Sequence, residues 1–208
     1  MATANNKKHF DVLNFYYAVG TKDQATGMVT YGVPVKEPGI ESISAKAQGS
    51  QSITRADGIN YLVNVSNTGY EITAKEVMLS DAMRQAVLAE VKDSTKGLQY
   101  EDADAEMPVF ACLFEFKGDV NHTRHVMYNC TASRPDLAGE NKDNQQEPDE
   151  DEITITASPQ PMTVDAAGTV KNIVKAFANE ADSAYTGWFS AVPTPEYTKS
   201  TTSSTSGS

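Results

Sequence analysis

VFACLFEF, residues 109–116, decides the fold. Phe110, Cys112, Phe114 and Phe116 alternate with Val109, Ala111 and Leu113, so the segment is apolar on both faces. A strand of that kind is covered on both sides, as in a sandwich or beneath a helix. GDVN (118–121) then reads as a turn, and HTRHVMYNCTA (122–132) as the strand returning beside it. That register sets Cys112 opposite Met127 and not Cys130. Both cysteines therefore read as small buried hydrophobes, and no disulfide is expected.

Working outward, the flanking segments are also strand-like. FYYAVGT (15–21) is rich in good β formers, DQATG (23–27) is a turn, and MVTYGV (28–33) follows it before Pro34 and Pro38-Gly39 break the chain. INYLVNV (59–65) and YEITAKEV (70–77) alternate. In the second, Tyr70, Ile72 and Ala74 share one face, and Glu71, Thr73 and Lys75 the other. One helix is predicted after them. Ser80 supplies the N-cap and Asp81 an acid in the first turn. Leu79, Met83, Ala86, Val87 and Val91 recur at helical spacing, with Lys92 near the C-terminal end and Gly97 the latest stop. Leu88 falls off that stripe and Glu90 within it. Beyond the central hairpin, ITITA (153–157) alternates strictly, VKNIVKAF (170–177) fits strand or helix, and WFSAV (188–192) is an aromatic anchor before Pro193 and Pro195. The Ser/Thr-rich residues after Glu196 cannot supply a core and are expected to be disordered.

Charge is unevenly placed. The 208 residues carry 17 basic and 28 acidic side chains, a net charge of −11. Eight acids fall between Asp136 and Glu152 against Lys142 alone, a net of −7, which leaves −4 for the rest. A solvated acidic loop is expected over 136–152. The basic residues are scattered, which disfavours tight nucleic-acid binding through a phosphate-neutralising face. The longest apolar run, VFACLF, falls far short of the roughly 18 residues of a membrane span. MATANNKKHFDVLN (1–14) has two lysines with no apolar stretch behind them, so no secretory signal is expected.

The chemistry-bearing motifs are missing. There is no G-x-S-x-G elbow, phosphate loop or dinucleotide-type glycine fingerprint. His122 and His125 with Cys112 and Cys130 lack the C-x-x-C pairing of a zinc site. Asp102, Asp104 and Glu106 take positions one, three and five of a calcium loop. Met107 then stands where that loop needs Gly, and Leu113 where it needs Glu. No catalytic, cofactor-binding or metal-ligating residue is assigned, and neither an enzyme activity nor a cofactor is expected.

FYYAVGT near the start, GYEITAKEVML (69–79) leading into a helix, LFEFKGD (113–119) at a hairpin and WFSAV before proline, in that order and spacing, resemble the major tail tube protein of long-tailed bacteriophages with non-contractile tails. The similarity spans Phe10 to Pro193. It implies a mainly β (α+β) fold, a tail-tube-type β-sandwich or barrel with one flanking helix, over residues 10–195. Residues 1–9 would be a flexible N-terminal segment and 196–208 the disordered tail. It further implies a structural virion protein, made in the bacterial host cytoplasm, whose rings of six stack into a hollow tube. That tube would enclose the tape-measure protein, meet the tail terminator and distal tail proteins at its ends, and pass DNA as non-specific cargo, without binding membrane. On this resemblance Arg55, Asp57, Tyr61, Trp188 and Phe189 are subunit-interface candidates. A soluble β-barrel or sandwich binding module without catalysis is the alternative.

Overall fold

A computed structural model describes residues 10–56, 59–137, 151–165 and 167–195. In chain order its elements are β1 (Phe10–Lys22), β2 (Val29–Tyr31), β3 (Val35–Lys36), β4 (Ile40–Gln48), β5 (Gln51–Ala56), β6 (Ile59–Val65) and β7 (Gly69–Glu76). The helix α1 (Asp81–Val87) follows, then β8 (Val91–Lys92), β9 (Gln99–Tyr100), β10 (Val109–Lys117) and β11 (Arg124–Ala132). The last strands are β12 (Asp151–Ala157), β13 (Gln160–Thr163), β14 (Val170–Ile173) and β15 (Lys175–Ala178), and a short 3-10 turn covers Ser183–Tyr185. The protein is thus mainly β, with one helix among the described residues.

An antiparallel sheet in the order β2-β1-β10-β11-β12-β7-β4 forms the body, with β3 added to β1 and β15 to β11. The sheet rolls until β4 lies alongside β1. β10 sits near its middle and is apolar on both sides for a concrete reason: each side has its own core. Phe110, Cys112 and Phe114 enter an inner core with Phe15 and Tyr17 of β1, Ile72 and Ala74 of β7, Ile153 and Ile155 of β12, and the helix. Ala111 and Leu113 enter an outer core with Ala18, Val126, Tyr128, Met162 and Trp188. Cys112 does pair with Met127, and both cysteines are free and buried.

The helix begins where the sequence predicts. Ser80 caps it, its hydroxyl accepting the Met83 N–H at 3.1 Å. It ends two turns later, earlier than the apolar spacing suggests. The Leu88 N–H closes on the Arg84 carbonyl at 3.0 Å, and Ala89 turns the chain at φ 56. Leu79, Met83, Val87 and also Leu88 are buried, whereas Val91 is exposed and belongs to β8. Lys92 consequently ends no helix; it pairs with Asp81 at the helix start, 2.8 Å away. Gly97 lies in the turn from β8 to β9 at φ 70.

Two further readings are resolved or corrected. Residues 170–177 form the separate short strands β14 and β15. The last two acids of the 136–152 run, Asp151 and Glu152, open β12 and pair with Glu76 and Lys75. Residues 138–150 of that run, like 1–9 and 196–208, lie outside the described residues.

Candidate interaction arm

β4 through β7 form one long hairpin with a neck. Its proximal half, β4 against β7, belongs to the sheet. Its distal half, β5 against β6, is a separate two-stranded ribbon. Between them the Ser66 N–H donates to the Ser50 carbonyl at 2.9 Å and the Thr68 N–H to the Gln48 carbonyl at 2.9 Å. The Ser50 N–H donates to the Ser66 hydroxyl at 3.1 Å, and the two hydroxyls lie 3.0 Å apart. Gly49 permits this close approach, and Gly69 a similar one between β7 and β12. A β-carbon on Gly49 would meet the Ser66 carbonyl oxygen at 2.0 Å, and one on Gly69 the Ala157 carbonyl oxygen at 2.2 Å.

The ribbon extends about 20 Å, at roughly 3.4 Å per residue. A two-stranded ribbon is marginal by itself and needs a third surface for its apolar side chains. Here Ile59 is 64% exposed and Val65 71%, and Ile53 is exposed as well. Gln51 pairs with Val65 and Ile53 with Val63, which puts Ile53 and Val65 on one face. Residues 51–65 contain no lysine or proline, and Arg55 and Asp57 are their only charges. The ribbon therefore lacks the usual protection of an exposed edge.

The five interface candidates divide between two places. Arg55 is exposed on β5 opposite Asn60. Leu62 pairs with Thr54 and Asn60 with Arg55, so Tyr61 is the extra residue of a bulge in β6. Asp57 lies outside the described residues. Trp188 and Phe189 are far along the chain, in a strap over the outer core. Trp188 is buried there, and Phe189 is half-buried and stacked on Tyr16 with ring centroids 4.5 Å apart.

Sequence reasoning missed what holds that strap. The Arg124 guanidinium lies 3.7 Å from the Tyr185 ring centroid and 4.8 Å from that of Phe189. It donates to Glu115 and to the Tyr185 carbonyl, each at 2.9 Å. The Tyr128 hydroxyl donates to the Pro193 carbonyl, and burial raises its pKa. Apart from the Arg124–Glu115 pair, which spans the β10–β11 hairpin, these contacts join residues about sixty positions apart, so no local pattern announces them. DQATG (23–27) is a turn as its sequence predicts, but its counterpart was missed although the signal repeats: Asp23-x-x-x-Gly27 and Asp93-x-x-x-Gly97. In each, the aspartate carboxylate accepts two turn N–H groups, and these bonds hold it below the usual carboxylate range.

Among the described residues no group of three His, Cys, Asp or Glu is placed to hold a metal ion, and no helix is long and apolar enough to cross a membrane. Burial raises both cysteine thiols well above their ordinary range, which leaves them unreactive. Neither the scan against family models nor the search of curated proteins yields a match.

Proposed function

We propose that this chain is a structural subunit of a phage tail tube, and that the β5–β6 arm is its principal contact with the next copy. One observation carries the reading: an arm with exposed Ile53, Ile59 and Val65, with no lysine or proline and only Arg55 and Asp57 as charges, stands on a body that has two cores of its own. The cover such an arm requires then comes from another molecule. In a closed ring the requirement is met once per subunit, because each copy gives an arm and receives one. Six copies form the ring, stacked rings enclose the tape-measure protein, and DNA later passes through the bore. The chain's net charge of −11 suits a conduit, since an acidic wall repels phosphate and does not retain a duplex.

Negative-stain microscopy of the concentrated full chain tests this. Rings or tubes about 100 Å across, on the order of ten helix diameters, are expected. A field of separate single particles at every concentration would overturn the reading.

A further inference from the structure

Glu76 ends β7 on the face that sends Ile72 and Ala74 into the inner core, and it is fully buried. Neither oxygen of its carboxyl has a hydrogen-bond partner. The groups around it are engaged elsewhere. Glu37, from the link between β3 and β4, is buried and accepts from the Ser80 N–H at 2.8 Å and the Ser80 hydroxyl at 2.7 Å. Asp151, the cross-strand partner of Glu76 on β12, accepts from the Leu79 N–H at 3.0 Å and from Arg84 at 3.1 Å. Arg84 of α1 spends its other nitrogen on Glu90, 3.5 Å away. The buried Cys112 of β10 feels the charge of Glu76, and Tyr17 of β1 that of Glu37.

A buried carboxyl near two engaged carboxylates, with the nearby guanidinium committed to others, is more stable there neutral than ionised. Burial first, then Glu37 and Asp151, raise its pKa to about 8. We propose that Glu76 is a proton-operated latch: protonated, it lets β7, β12 and the Ser80 cap close over the inner core, and ionised, it favours an opened form in which residues 77–80 and α1 lift from the sheet. The link it would release is already poorly covered, with Met78 72% exposed. Lifting would bare Leu79, Met83, Val87 and Leu88. The latch is a property of the single chain and does not depend on tube assembly.

The direction in pH follows from linkage. In the opened form the carboxyl is in water and ionises near its ordinary value of about 4.5. Between there and about pH 8 the closed form keeps a proton that the open form has lost. Opening then becomes easier by up to about tenfold per pH unit and levels off above about 8.

Hydrogen exchange of the full chain from about pH 5 to 9, normalised for intrinsic exchange, tests the latch. In the wild type, protection over 79–88 is expected to fall by up to about tenfold per unit until about pH 8 and then to flatten, while β10 stays protected. In Glu76→Gln it should be flat throughout. Identical profiles in the two proteins, or β10 losing protection in step with α1, would overturn the proposal. Should the variant fail to fold, a carboxyl 13C titration of the wild type decides: one glutamate titrating near pH 8 supports the latch, and ordinary values for all of them end it.

Discussion

Gly49 and Ser66 face each other across the neck of the arm so closely that a β-carbon on residue 49 would lie 2.0 Å from the Ser66 carbonyl oxygen. The obstacle is backbone and cannot swing aside, so a side chain there must displace one strand of the neck. Gly49→Ala is therefore expected to cost roughly 1–3 kcal/mol, as overpacking does, and to reduce assembly while the body keeps its fold. Circular dichroism reports the fold and sedimentation velocity the assembly. An alanine variant that assembles like the wild type would show that the neck does not set the arm's direction.

Trp188 anchors the strap by burial alone, since its indole N–H has no acceptor. Trp188→Ala should lose about 3–5 kcal/mol in urea denaturation, the usual cost of emptying so large a site. Trp188→Phe should lose much less, because the orphan donor goes with it. Equal losses would mean that the N–H matters after all. Assembly has to be scored separately on whatever remains folded.

Arg124 acts through shape as much as charge. A lysine keeps the charge but loses the planar fork that stacks on Tyr185 and Phe189 while bonding Glu115. Arg124→Lys is expected to destabilise nearly as much as Arg124→Ala, by about 1–3 kcal/mol. Wild-type stability in the lysine variant would reduce the contact to simple ion pairing.

Local alternation made the body legible. The two-faced reading of 109–116 fits because β10 has a core on each side, and ITITA buries Ile153, Ile155 and Ala157 as its alternation requires. The apolar spacing overextends the helix because Val91 continues it although its real use is a strand, while Glu90, which breaks the stripe, is the buried partner of Arg84. Glu76 takes the next inward position after Ile72 and Ala74, so its burial was readable, but its charge argued against it. The arm was visible only in pieces, because the neck at 49–50 and 66–68 interrupts the alternation of a single long hairpin. Its exposure could not be read at all: apolar alternation looks the same whether the cover comes from the same chain or another.

Photo-crosslinking from the arm reveals whether another copy of the chain covers it. The native thiols of Cys112 and Cys130 are buried and unreactive, so Ile59→Cys, at an exposed position of the arm, can be labelled selectively with a benzophenone maleimide. Irradiation of the concentrated full chain should give a ladder of covalent multimers rising to six, with the crosslinks joining residue 59 to the body of another copy. Monomer alone on the denaturing gel, with every crosslink falling within one chain, would contradict the account.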